Sequence, residues 1–210
     1  MIEDILALLK KRNIKIWYTS DTHFGHTNIT HGVSNWSDKD NKCRPFDTVN
    51  EMSKHMLDQI NKYVGKNDLL FHLGDWSFGN NYNVINYRNQ LICNNIVLLY
   101  GNHDLYIRKH RDMYKESFVE MLELFSFRHN GDYVKLMHYP LAEWDNYTGH
   151  DTYVLHGHSH GNLPYIKNRF DVGLDNAYKL FGEYIPFEHN ELMKLIKTLN
   201  EENWSKNSLW

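Results

Sequence analysis

Three imidazoles stand at alternate positions in the stretch His156-Gly157-His158-Ser159-His160-Gly161, directly after the apolar run Tyr153-Val154-Leu155. Alternate side chains of an extended chain point the same way, and neutral imidazole is the commonest metal ligand. The same chemistry recurs along the chain at Asp21 and His23, at Asp75, at Asn102 and His103, and at His138. Carboxylate, amide oxygen and imidazole suit Mn, Fe, Co, Ni or Zn, and no thiolate narrows the choice. These are more candidate ligands than one ion needs. Two divalent ions about 3.5–4 Å apart would use them all if one carboxylate spans both. Carboxylates offset the cationic charge, and imidazoles fix geometry without cancelling Lewis acidity. Water held between such ions loses a proton near neutral pH, and the resulting hydroxide attacks phosphorus in line. The ions also bind the non-bridging phosphate oxygens as charge develops.

These residues need elements to bring them together. Apolar runs of strand length cover residues 14–18, 69–73, 96–100, 133–137 and 153–155, and each ends in one of the polar clusters. Helical spacing covers 2–11, 49–64, 82–92, 112–125 and 191–199, with Asp47 placed to cap the second. Strands alternating with helices predict an α/β layered domain. Ligands in such folds bind beyond the carboxyl ends of the strands, which is where the polar residues fall. Gly74, Gly101 and Gly157 precede ligands at these ends and let backbones pass close to a site.

The whole chain sets the bounds. Its 210 residues allow one domain, 1–210, with a real core. A formal net charge of −3 gives no global field for nucleic acid or anionic membrane. Cys43 and Cys93 form no CxxC pair and fit a reducing cytosol, so a cytoplasmic protein is expected. The start, MIEDILALLKKR, has acids where an export signal wants positive charge, and no stretch approaches a membrane span.

The motifs DTH at 21–23, GD at 74–75, GNHD at 101–104, the lone His138 and GHSH at 157–160, taken in this order, resemble the calcineurin-like metallophosphoesterase superfamily. The resemblance implies a four-layer αββα sandwich with a dinuclear site at one edge. It implies that Asp21, His23 and His160 hold one metal, that Asn102, His138 and His158 hold the other, and that Asp75 bridges. His103 would not ligate; it would protonate the leaving oxygen or stabilise its charge. Asp104 would orient a neighbouring imidazole. The serine/threonine phosphatases of the superfamily look like GDxxDRG at the second motif. Here Gly74-Asp75 is followed by Trp76-Ser77-Phe78-Gly79, which argues against a phosphoprotein substrate. DTHFGHTNI and CRPF look like a compact prokaryotic and phage branch of stand-alone phosphoesterases. Within those segments His26, Asn28 and Arg44 are candidates for substrate contact, Arg44 by a two-pronged grip on phosphate.

The expected activity is hydrolysis of a phosphodiester: a cyclic nucleotide, a cyclic phosphate or a nucleic-acid-derived ester. Two transition-metal ions (Mn, Fe, Zn or Ni, with Mn favoured) would serve it. A phosphomonoesterase acting on a nucleotide or small molecule is the enzyme alternative, and a metal-bound protein-interaction scaffold the non-enzyme one. The expected partner is a small phosphorylated or nucleotide substrate, with no membrane and no stable nucleic-acid complex; oligomeric state is left open. A metallo-β-lactamase fold would need HxHxDH, and an amidohydrolase barrel usually takes about 250 residues. The basic run 108–111 reads as a solvated helix start, Trp76, Phe78 and Tyr139 as core aromatics, and His156 as a strand residue behind the ligands. His31, His55, His72, His110, His129, His150 and His189 read as ordinary histidines.

Overall fold

The computed structural model describes residues 2–145 and 152–207. His150 lies outside them. Alternation along three strands, β1 (Ile16–Thr19), β2 (Leu69–His72) and β3 (Asn95–Leu99), builds two cores at once. Trp17, Leu70, Ile96 and Leu98 face one way. There α3 (Val49–Tyr63) and α4 (Asn81–Gln90) lay Met52, Met56, Ile60, Val84 and Tyr87 against them. Tyr18, Leu69, Phe71, Val97 and Leu99 face the other way and meet Phe125, Phe127, Val134, Leu136, Tyr153 and Leu155 of a second sheet. Strands buried on both faces read as continuous apolar runs, which is why these strands stand out in the sequence.

The first sheet has the order β4-β3-β2-β1-β9, where β4 is Glu120–Leu122 and β9 is Phe187–Glu188. Strands β1 to β4 run parallel and β9 is antiparallel to β1. The second sheet runs β5 (Leu124–His129), β6 (Asp132–Met137), β7 (Thr152–His156) and β8 (Arg169–Asp171). Here β6, β7 and β8 are parallel and β5 is antiparallel to β6. Helices α1 (Ile2–Leu9) and α7 (His189–Asn207) add Ile5, Leu8, Leu192, Met193 and Ile196 to the core between the sheets. The remaining helices are α2 (Lys39–Lys42), α5 (Leu105–Lys109) and α6 (Leu174–Phe181). This is the layered α/β sandwich that the motifs imply. No helix among the described residues is long and apolar enough to cross a membrane.

Two local expectations are corrected. Thr48, not Asp47, caps α3. Its hydroxyl accepts from Glu51 N at 3.2 Å while the Glu51 carboxylate accepts from Thr48 N at 3.0 Å, a reciprocal capping box. Residues 112–125 are not a helix. A 3-10 turn (Arg111–Met113) gives way to β4 and the start of β5. Phe118, Met121 and Phe125 have helical spacing but serve opposite cores, the first two outside the first sheet and the third between the sheets. Pairing of β4 with β3, Val97 opposite Glu120 and Leu99 opposite Leu122, overrides the local pattern.

Candidate metal centre

Five parallel strand ends empty into one rim, three from the first sheet and two from the second. Beyond β1 stand Asp21 and His23, beyond β2 Asp75, beyond β3 Asn102 and His103, beyond β6 His138, and beyond β7 His158 and His160. The side chains converge into two groups. Asp21 Oδ1 lies 3.9 Å from both His23 Nε2 and His160 Nε2. Asn102 Oδ1 lies 3.0 Å from His138 Nε2 and 2.8 Å from His158 Nδ1. Between the groups, Asp75 Oδ2 is 3.6 Å from His23 Nε2 and 3.6 Å from His138 Nε2. Asp21 also reaches the second group, since it clusters with Asp75 and His138 as well as with His23 and His160.

The backbone is bent to achieve this. Asp21, His23, Asp75, His158 and His160 all have φ between 49° and 67°. Left-handed conformations cost non-glycine residues of order 1–3 kcal/mol each and persist only where surroundings impose them. Gly74, at φ 97°, makes the approach of the loops possible: a Cβ there would lie 2.5 Å from Gly101 N and 2.7 Å from His138 Nδ1. A Cβ on Gly157 would collide with Ser20 Oγ and the Asp21 carboxylate.

A layer of hydrogen bonds fixes the presentation. His138 Nδ1 donates to Leu73 O at 2.7 Å, which leaves Nε2 as the free lone pair. His160 Nδ1 donates to Asp175 Oδ2 at 2.5 Å, and Asp175 also pairs with Arg44 at 2.8 Å. Arg44 in turn donates to the carbonyls of Asp21 and Thr22. Asp104 does not orient an imidazole, contrary to expectation. Its carboxylate accepts from the backbone N–H groups of Asp75, Trp76 and Gly101, at 2.7, 3.0 and 2.8 Å, and so ties the GD loop to the GNHD loop.

These side chains fit divalent cations. Both ring nitrogens of His23 are buried without a hydrogen-bond partner, a state that costs free energy unless something binds them. Burial lowers the pKa of His138 and so favours the neutral ring, whose Nε2, with Nδ1 donating to Leu73 O, meets Asn102 Oδ1 acceptor to acceptor. A cation relieves that opposition. Burial pushes Asp21 up to about 8 even against the pull of His160. A carboxylate that keeps a proton in this way is one that a metal ion would return to its charged form. Burial opposes charge on His160 too, but the Asp175 hydrogen bond and the Asp21 carboxylate raise it to about 9.

The calcineurin-like phosphoesterase family model matches residues 14–204. The chain belongs to that family. An uncharacterized protein of Methanocaldococcus jannaschii is 31% identical over 196 residues, covering 89% of this chain and 97% of its own. A protein of unknown function from Aquifex aeolicus shares the fold. Its solved structure aligns with TM-score 0.57 and 20% identity over 87% of this chain and 100% of its own. The structure of an archaeal phosphodiesterase aligns at TM-score 0.44 with 19% identity, over 80% of this chain and 88% of its own, a likeness too slight to speak for this one.

In this phosphoesterase the seven ligand candidates come together, and His103 stands beside them on the exposed rim. The His103 ring centre is 5.5 Å from that of His23 and 4.6 Å from that of Phe78, and its backbone N–H donates to Asp75 Oδ1 at 2.8 Å. His26 lies 5.3 Å from His23 and stacks on Phe78 at 3.6 Å, so both form part of the rim. Arg44 is corrected: at 2% exposure, with its guanidinium held by Asp175 and two carbonyls, it braces the first ligand group and offers nothing to a phosphate. Asn28 sits in a 3-10 turn, and among the described residues no hydrogen bond joins its side chain to the ligands. Of the three aromatics, Trp76 is core, while Tyr139 stands 42% exposed at 5.1 and 4.9 Å from His138 and His158. Arg108 and Arg111 pair with Glu123 and Glu120, as a solvated run does. Asp175, which holds His160 in place, belongs to no sequence motif. The nearest signal is Asp171, which ends the short strand β8 four residues earlier.

Proposed function

We propose that this phosphoesterase hydrolyses phosphodiesters with two divalent cations, manganese foremost. One would be held by Asp21, His23 and His160, the other by Asn102, His138 and His158, with Asp75 shared. The observation that carries this reading is the equal 3.6 Å spacing of Asp75 Oδ2 from a histidine of each group. When bound, the cations would supply Lewis acidity toward phosphate oxygens and a lowered pKa for water. The chain's own residues do the rest. Asp75 uses Oδ1 to fix the His103 backbone at 2.8 Å, which sets the imidazole at the rim where the leaving oxygen departs. His103 gives that oxygen its proton, the step on which a poor alkoxide leaving group depends.

Two features favour a diester over a monoester. The cationic side chains beside the ligands are engaged by protein oxygens: Arg44 by Asp175, and Lys179 by the His160 and Gly161 carbonyls and Asn162. The Asp175 carboxylate cancels the Arg44 charge, which is not left to neutralise the second charge of a monoester, while Lys179 keeps its charge on neutral oxygens. Aromatic shoulders stand on both sides of the ligand groups, His26 and Phe78 by His23 and Tyr139 by His158. They suit a phosphorus carrying two organic substituents.

The test uses chelator-treated protein, resupplied with manganese, on bis(4-nitrophenyl) phosphate and 4-nitrophenyl phosphate. Hydrolysis is expected only with metal, with kcat/KM for the diester at least about tenfold higher. Full activity without metal sinks the metal-dependent reading, and a preference for the monoester turns the assignment to a phosphomonoesterase.

A further inference from the structure

A cavity of about 450 Å³ opens beside His160, lined among others by Trp36, Asn41, Asn162, Tyr178 and Tyr184. Its size falls within the roughly 300–1,000 Å³ of small-molecule sites. We propose that it seats a nucleobase, as one organic substituent of the ester, with Trp36 as the stacking face; this rests on the phosphodiesterase reading above.

The cavity is continuous with the metal-ligand rim. His160 belongs to its wall and to the first ligand group alike. Trp36 stands edge-on to His26 with ring centres 6.1 Å apart, and His26 is 5.3 Å from His23. A ligand with phosphorus at the ligand groups therefore reaches the cavity without leaving the protein surface.

The lining selects chemistry as well as size. Tyr178 and Tyr184 stack at 4.5 Å with ring planes 11° apart, and the Arg44 guanidinium lies 5.7 Å from the centre of Tyr184. Arg44 is itself locked to Asp175, so this wall is rigid before any ligand arrives. The cavity's cationic side chains bind protein oxygens: Lys42 to Asp38, Arg44 and His160 to Asp175, and Lys179 to the loop carbonyls and Asn162. Lys42, Arg44 and His160 are each matched by a carboxylate, and the Lys179 charge sits at the exposed margin on neutral oxygens. What remains for a ligand is aromatic surface with amide groups at its margin. Asn162 Oδ1 is taken by Lys179 at 2.6 Å, so this amide offers its donors. A flat ring with hydrogen-bonding edges matches such a lining, because every base has a face that stacks on an aromatic side chain.

Equilibrium binding separates this proposal from the catalytic one. Adenosine 5′-methylphosphonate and ribose 5-methylphosphonate share a singly charged phosphorus and the sugar and differ in the base. The manganese-loaded protein is expected to bind the first at least about tenfold more tightly, the scale of one base–aromatic stack. Trp36→Ala should collapse that preference, and Trp36→Phe, which keeps an aromatic face, should retain most of it. Equal affinities in the unaltered protein, binding of neither compound, or a preference that survives Trp36→Ala each overturn the proposal. Hydrolysis of methyl 4-nitrophenyl phosphate, which has no base, is measured alongside. Its absence would refute the diesterase reading alone, whatever the dissociation constants show.

Discussion

Asp75 divides its two oxygens between two tasks. Oδ2 faces a histidine of each ligand group, and Oδ1 accepts the backbone N–H of His103. Asp75→Ala is therefore expected to deplete both cations together, read by elemental analysis of protein purified in manganese. Retention of one full equivalent would show that Asp21, which also clusters with His138, is the shared ligand instead. His103→Ala should behave differently. Its ring stands on the exposed rim beside Phe78, so metal content should hold while kcat falls by about 10²–10⁴-fold, the usual contribution of a general acid. Loss of metal in that variant would make His103 a ligand. The ligand candidates were legible in the sequence because each follows directly on a strand, where residue type and position suffice. Arg44 was not. A buried arginine and a phosphate-gripping arginine look alike until the partner is seen, and the partner, Asp175, lies 131 residues further along the chain.

Helix α6 supplies that partner from its first turn. Its position makes Asp175 the junction between His160, which it orients, and Arg44, which it neutralises. Burial alone would raise the Asp175 pKa, but the Arg44 charge and the His160 hydrogen bond hold it well below the usual carboxylate range. Asp175→Asn keeps the shape and removes the charge. Metal affinity of the first group should fall about 10–100-fold, as when a histidine ligand loses its carboxylate partner. Leaving Arg44 buried and unpaired should also cost about 3–5 kcal/mol in urea unfolding. A stability loss with unchanged metal affinity would confine Asp175 to bracing the fold. The elements themselves were unevenly visible. Strands β1, β2, β3 and β7 bury both faces and announce themselves as apolar runs, and β6 reads as one although Tyr133 and Met137 are half-buried. Strands β8 and β9 have only three and two residues and carry no period of their own. Residues 118–125 fit a helical template because they turn from one core to the other, and only the pairing with β3 shows it.

The two sheets contribute ligands to the same rim: Asp21, His23, Asp75 and Asn102 follow strands of the first, and His138, His158 and His160 follow strands of the second. Cations there would tie the sheets to one another, so metal binding should appear as folding stability. Its pH dependence has a definite sign. Burial raises Asp21 from 3.8 to about 8, and Asp175 and Asp21 raise His160 from 6.5 to about 9 against burial. Between about pH 6.5 and 9 the metal-free folded chain therefore keeps protons that the unfolded chain releases, and stability falls as pH rises. His23 and His138 are shifted downward by burial, so they act in the opposite sense, but their window lies below 6.5. Divalent cations take the place of the retained protons and remove the penalty. Thermal unfolding of chelator-treated protein should show Tm declining from about pH 6.5 to pH 8.5, and the increase brought by manganese should grow over the same interval. A manganese effect that shrinks with rising pH would mean that the raised Asp21 and His160 do not sit where the cations bind. It would separate the two sheets' ligands into groups that stability does not link.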